Sequence, residues 1–220
     1  MDNSLSLSVR RNRKSRKRQP EKKSALYFRG RMKYNEVKGK YEFAKEKIMI
    51  RIATRNDVDS IVKIYEHIHD AEEAGEAVVG WDRNVYPTYQ TALESVLKGD
   101  MFVEEDKDII VAAGRINQEQ VKEYAECPWL YQAADHEVMV LHTLVVDPYI
   151  KGKGYGSACV KFYEEYARSR NCHTLRIDTN EKNIPARKFY QKLGFREAGF
   201  VLCNFNGIAG VRLVCLEKKI

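Results

Sequence analysis

Nowhere does the chain hold an apolar run approaching the roughly 18 to 20 residues that a membrane-spanning helix needs. The few apolar positions before Arg10 precede the basic residues, whereas in a secretory signal they would follow them. No membrane partner is therefore expected, and the cytoplasm is the expected compartment. Cysteine is sparse and badly placed for cross-linking: Cys127, Cys159, Cys172, Cys203 and Cys215 are odd in number, widely spaced and without a CxxC pair. That argues against a disulfide framework and a zinc knuckle and fits a reducing environment. The histidines are likewise not paired with ligands at a recognisable spacing, so no metal is expected.

Positive charge is abundant but unevenly placed. The 220 residues carry a formal +7, yet residues 1–48 hold sixteen Lys and Arg against five Asp and Glu, and the remainder twenty-two against twenty-six. The part after residue 48 is thus slightly acidic, and nucleic acid is expected only at the tail. Between Val9 and Lys23 nine of fifteen residues are basic, a composition that cannot bury enough apolar surface to offset the entropy of ordering. Disorder is predicted there. Such a tail can tether RNA or another anionic surface through phosphate contacts, or it can be a solvated appendage. A third reading is that the native protein lacks it, because Lys45-Glu46-Lys47-Ile48 can be encoded by a purine-rich run of the kind that precedes a bacterial start codon, here at Met49. The expected division is a basic, disordered tail over 1–48 and a folded domain over 49–220, a length that suits one core of about 100 to 200 residues.

After Met49 the apolar spacing becomes regular. Ile50 to Ala53 reads as a strand, and Thr54 or Asn56 can cap a helix carrying Val58, Ile61, Val62, Ile64, Tyr65 and Ile68. A helix from Thr88 to Leu97 and two strands, Met101 to Glu105 and Ile109 to Ile116, follow; residues 117–136 look like a long polar loop. Val138 to Val146 is almost wholly apolar and predicts a strand buried on both faces, in the middle of the sheet. A helix from Gly156 to Ser169, a strand from His173 to Thr179, a helix from Pro185 to Leu193 and a final hairpin, Phe195 to Cys203 with Val211 to Glu217, complete the order. The class is α+β, with a mixed sheet.

The densest chemical signal follows the central strand. In Lys151-Gly152-Lys153-Gly154-Tyr155-Gly156-Ser157, glycines alternate with Lys and Tyr immediately before a helix, so backbone N–H groups and the positive end of the helix dipole converge on one spot. A pyrophosphate fits there, with Lys151 and Lys153 adding charge; a plain glycine-rich turn is the alternative. The spacing is not GxxxxGK followed by Ser or Thr, nor GxGxxG with a downstream acid, so a Walker loop and a dinucleotide fingerprint are both excluded.

One strand later stands a second signature: Asn183, Ala186, Phe189, Tyr190, Gly194 and Phe195, on a helix closed by Leu-Gly-Phe. Together with Lys151, Gly154 and Gly156 it resembles the GNAT superfamily of acyl-CoA-dependent N-acyltransferases, whose phosphate loop begins with Gln or Arg where this chain has Lys151. The resemblance covers essentially everything after the tail and implies a GNAT-like, mostly antiparallel sheet flanked by helices. It implies acetyl-CoA as co-substrate. The main chain of Leu144, Val145 and Val146 would pair with the pantetheine arm, Lys151 to Ser157 would hold the pyrophosphate, Asn183 would contact the cofactor, and Tyr190 would protonate the departing thiolate. For Asn183 a helix cap, and for Tyr190 a packed aromatic, are the structural alternatives.

The base is less determined. His142 interrupts the apolar strand two residues before Leu144, and LHTLVV resembles the segment of arylalkylamine acetyltransferases in which strand histidines relay the proton; Glu137, at the strand's start, is the alternative. His67, His69, Asp70, Glu72 and Glu73 could bind a cationic amine or form a wet helix face, and Trp81, Tyr86, Pro87 and Thr88 could wall the acceptor site. The expected activity is direct acetyl transfer from acetyl-CoA to a primary amine, small-molecule or peptide, with a homodimer left open. Two alternatives are an idle acyl-CoA-binding module tethered to RNA by the tail and a protein N-terminal acetyltransferase.

Overall fold

The computed structural model describes residues 48–150, 152–205 and 207–220, and the strand backbones β1 (Tyr27–Arg29), β2 (Met32–Asn35) and β3 (Lys40–Phe43). The expectation of disorder between Val9 and Lys23 lies outside the described residues. β1 pairs antiparallel with β4 (Ile48–Ile52), so the sheet takes in a strand from the expected tail and β4 itself starts one residue before Met49, while β2 pairs with β3 as a separate hairpin.

Arg51 at the end of β4 fixes the first helix. Its guanidinium grips both oxygens of Asp57, at 2.7 and 2.8 Å, and Asp57 also accepts from the Thr54 N–H and hydroxyl. A single-turn 3-10 helix, Arg55–Asp57, then runs into α1 (Val58–Glu73). Thr88 caps α2 (Tyr89–Lys98), and Gly99, at φ 76°, closes it in the left-handed conformation that only glycine adopts without cost.

β5 (Met101–Asp106) and β6 (Ile109–Asn117) turn tightly through Lys107 and Asp108, both at positive φ. β7 (Val138–Val146), α3 (Tyr155–Ser169), β8 (Thr174–Asn180), α4 (Ile184–Lys192), β9 (Arg196–Phe205) and β10 (Ile208–Lys219) follow. The strand order is β1-β4-β5-β6-β7-β8-β10-β9, antiparallel throughout except for β7 against β8. Alternation along the strands sorts side chains to opposite faces: Phe102 and Ala112 pack with Tyr155, Phe162 and Tyr163 of α3, whereas Met101, Val103 and Ala113 pack with Ile61, Ile64 and Tyr65 of α1. The first half of β7 is buried on both faces as its apolar run predicts, but His142, Thr143, Leu144 and Val146 are only partly buried, so the burial expected along all of Val138 to Val146 stops midway.

Residues 117–136 are not simply a polar loop. They carry a 3-10 turn over Lys122–Glu126 and bury Tyr124, Cys127 and Trp129 against β9 and β10. Glu217, itself fully buried, fastens the segment by accepting from the Leu130 and Tyr131 N–H groups at 2.9 and 3.1 Å. Isolated aromatics in a hydrophilic stretch show no period, so the sequence pattern conceals this anchoring.

Candidate active site

The two parallel strands part company in mid-course. β7 and β8 pair from Val138 with Thr174 to Leu141 with Ile177, and no further. Immediately beyond, the register between β6 and β7 shifts near Gly114, and Thr143 adopts φ 49°, a conformation rare for a β-branched residue. A Cβ on Gly114 would meet the Leu141 and Leu144 side chains at 3.3 and 3.5 Å, so glycine is what lets the bulge close. The bulge turns the second half of β7 away from β8.

A cavity of about 520 Å³ opens between them. Leu144, Val145 and Val146 line one wall, and Asp178, Thr179, Asn183, Ala186, Phe189 and Tyr190 the other, with Trp81 and Tyr86 closing one end. Val145 and Val146 pair with Ala113 and Ala112 on the β6 side, so their remaining edge faces the cavity. Gly156 stands beside Val146 at the start of α3: a Cβ there would lie 3.3 Å from the Phe189 ring and 3.6 Å from the Val146 side chain. Gly154, at φ 77°, is the residue on which α3 begins. The Ala158 N–H closes a helical turn onto the Gly154 carbonyl, so the amides of Gly156 and Ser157 point off the helix end toward any anion placed there. Apolar walls, an open strand edge and an anion-binding helix end suit a long ligand with a phosphorylated head.

The individual residues fall as follows. Gly152, Lys153 and Ser157 are exposed around the helix start, and Lys151 lies outside the described residues. Tyr155 turns inward instead, its hydroxyl on Asp106, so only its backbone can serve the loop. Asn183 caps α4, its Oδ1 accepting from the Ala186 N–H at 3.1 Å, while also lining the cavity. Tyr190 is buried between Phe189 and Phe195, and burial, then the Asp178 charge, holds its phenol well above the ordinary range.

A second cavity, also about 520 Å³, lies on the other side of β7, between α2, residues 119–123 and β9. His142 lines it; Glu137 does not. Glu137 is exposed at the far end of β7, where its carboxylate accepts from the Ala134 N–H at 3.0 Å. His142 is held through Asn117, whose Nδ2 donates to Asp100 at 2.6 Å and whose Oδ1 accepts from the Glu119 N–H at 2.9 Å. The His142 Nε2, 3.0 Å from that same oxygen, must therefore carry the proton, which leaves Nδ1 as an acceptor. Burial, reinforced by Arg115, pushes the imidazolium down to about 4, so the ring is neutral at physiological pH.

The α1 cluster does not assemble there. His67 bonds Asp147 at 3.1 Å, His69 faces the Pro87 carbonyl at 3.3 Å, Asp70 and Glu73 pair with Arg83, and Glu72 accepts from the Val79 and Gly80 N–H groups. These ties fold the segment between α1 and α2 over the first cavity. Tyr86, Thr143, Asp178, Phe205 and Leu213 line both cavities, so the two meet there. Asp178 accepts from the Tyr124 hydroxyl at 2.6 Å. Sequence reasoning does not single this residue out, because an aspartate inside a strand signature carries no spacing that marks it.

A splayed parallel pair beside a glycine-rich helix start, in a mostly antiparallel sheet flanked by helices, is an acetyltransferase-type fold. The model of the acetyltransferase (GNAT) family matches residues 61–195, and the chain belongs to that family. It is 28% identical over 149 residues to an uncharacterized N-acetyltransferase of Methanocaldococcus jannaschii, covering 67% of this chain and 60% of that protein. To the streptothricin acetyltransferase of Escherichia coli it is 30% identical over 101 residues, 46% of this chain and 55% of that one. The chain thus spans somewhat over half the length of these two curated relatives. A GNAT-family acetyltransferase of Streptococcus agalactiae superposes with a TM-score of 0.66 at 21% identity, over 79% of this chain and 96% of that one. YncA of Salmonella typhimurium, solved with its cofactor acetyl-CoA, does so with 0.55 at 17%, over 78% and 93%. Among the described residues no His, Cys, Asp and Glu cluster could hold a metal, and no helix is long and apolar enough to cross a membrane.

Proposed function

We propose that this protein transfers the acetyl group of acetyl-CoA to a primary amine, directly and without a covalent enzyme intermediate. The observation that carries the reading is the meeting of two cavities at Thr143 and Asp178, one with the family's cofactor-binding features and one walled by charged side chains. Acetyl-CoA supplies the activated acyl group. The β7 edge at Leu144 to Val146 aligns the pantetheine arm, and the amides at the start of α3, with Lys153 nearby, hold the pyrophosphate. Tyr190, protonated throughout the physiological range, gives its proton to the thiolate as the C–S bond breaks. His142, neutral and with Nδ1 available, passes the acceptor's proton toward solvent.

Glu94, Glu119, Glu123 and Asp178 stand in the second cavity against Lys98 and Arg115. Both cations already bond Glu119, and Arg115 also bonds Asp100. The balance favours a cationic acceptor. A small molecule suits a cavity of about 520 Å³ better than a protein N-terminus. The experiment is calorimetry with acetyl-CoA, followed by thiol release across polyamines, amino acids, aminoglycosides and peptides. Binding without release under any acceptor would favour the idle module, and no binding would remove the reading.

A further inference from the structure

We infer that Asp178 is the catalytic residue that receives the acceptor's ammonium group and takes its first proton. This rests on the acetyl-transfer reading above and adds a residue that the motif comparison does not supply. Three features support it. Among the described residues Asp178 is the one carboxylate lining both cavities, so it stands where an amine from one side must meet a thioester from the other. It sits on β8 two residues before Asn180, past the last β7–β8 pair, where the splay exposes it to the cleft. The hydroxyl of Tyr124, the one buried residue of the turn 122–126, holds Oδ2 at 2.6 Å and leaves Oδ1 for a ligand.

The surroundings suit the task. The groups that face Asp178 are phenols and thiols: its charge is felt at Tyr86, Tyr124 and Tyr190 and at Cys203 and Cys215. Those groups are all raised by burial, so none of them competes as an anion. Burial also pushes the Asp178 carboxyl upward, against the Tyr124 hydrogen bond, which brings it nearer the range in which a carboxylate acts as a base. The proton count closes. Asp178 takes one proton from the bound ammonium; the freed nitrogen lone pair forms the bond to the thioester carbonyl carbon while the C–S bond breaks. The second N–H proton leaves on completion of the amide, by way of His142, and Tyr190 protonates the sulfur. Asp178 then returns its proton to solvent and Tyr190 regains one from solvent, so each turnover of an ammonium substrate releases one proton net.

The test uses the full chain and two small amines at pH 7, with saturating acetyl-CoA and thiol detection. Ethylamine arrives protonated and needs a base; hydroxylamine is mostly neutral and needs none for its first proton. Asp178→Asn should lower the ethylamine-to-hydroxylamine rate ratio by about 10²-fold or more. Equal loss with both amines, at unchanged acetyl-CoA affinity, would make Asp178 a packing residue and overturn the inference, as would an unchanged ratio. Wild-type protein that binds acetyl-CoA but releases no thiol with either amine also counts against it. Wild-type protein that fails to bind acetyl-CoA sinks the underlying reading instead. If Asp178→Asn does not fold, Tyr124→Phe carries the test: it removes a hydrogen bond that lowers the carboxyl, so the acidic limb of the ethylamine profile should move to higher pH. An unmoved limb overturns the assignment.

Discussion

The two sides of the splayed strands are built in different ways. On the side we assign to the cofactor the proposed working groups are main-chain: a strand edge at Leu144 to Val146 and the amides at the head of α3, made available by Gly154 and Gly156. On the acceptor side they are side chains gathered from α2, residues 117–126, β7, β8 and β9. Backbone chemistry demands glycine at fixed places and leaves a contiguous signature. Side-chain chemistry demands only that certain groups arrive at one point, and residues far apart in sequence can meet it in many ways.

The comparison breaks most sharply at Tyr190, the side chain to which we assign chemistry rather than binding on the cofactor side. Tyr190→Phe keeps the ring between Phe189 and Phe195 and removes the hydroxyl. It should cost about 10² to 10⁴-fold in kcat with acetyl-CoA affinity unchanged, because the hydroxyl acts on charge that develops as the thiolate leaves. Wild-type turnover in a steady-state assay would remove its acid role. Next in size is the backbone itself. Replacing Gly154 and Gly156 together by Val puts strain at φ 77° and a side chain against Phe189 and Val146. Acetyl-CoA affinity should fall about tenfold or more, a loss of the order that a helix-end anion site provides. Calorimetry on folded protein reads it, and intact affinity would mean that the phosphates sit elsewhere.

His142→Gln probes the acceptor side and should have a smaller effect on rate at neutral pH, because the residue relays rather than activates. Its signature is in the pH profile. The active form is the neutral ring, so kcat/KM in the wild type should fall more steeply as pH drops through about 4 than the Asp178 limb alone would make it, and that added steepness should vanish in the variant. The same shift sets a stability trend. The unfolded ring titrates near its ordinary 6.5, and the folded ring is depressed to about 4. Between those values only the unfolded state takes up the proton, so stability is greatest above the upper value and declines as pH falls toward the lower. Chemical denaturation at several pH values should find the decline flattened in His142→Gln.

How far the residues announced this arrangement follows the same division. The α+β order, the central place of the strand Val138 to Val146 and the glycine turn were legible because each is a periodicity or a contiguous spacing, although the double-sided burial expected along that whole strand ends at Leu141. The splay itself was not: it arises from Thr143 and the register shift near Gly114, neither of which breaks the apolar pattern of β7. Glu137, the alternative base expected at the strand's start, serves a local turn there, whereas His142, the preferred candidate, lines the second cavity. Asp178 and Tyr124 escaped notice because 54 residues separate them and only the folded sheet brings them together.

The smallest effect is expected from the tail, and it bears on the comparison because the tail belongs to neither side of the cleft. β1 lies at the edge of the sheet, and β4, β5 and β6 stand between it and β7. Removing residues 1–48 uncovers one edge of β4 and deletes its first residue, Ile48, while Arg51, which holds Asp57 and so the start of α1, is retained. Among the described residues, none that lines either cavity precedes Ile68. A chain beginning at Met49 should therefore bind acetyl-CoA with unchanged affinity and turn over any accepted amine at the full-length rate. Calorimetry and thiol release on the two chains decide the matter. Lost cofactor affinity in a folded short chain would mean that the tail contributes to the phosphate site, and lost folding would place the domain boundary before Met49. Intact-mass measurement of the native protein addresses the start separately: a mass that includes residue 1 removes the internal start at Met49, whichever way the binding comparison falls.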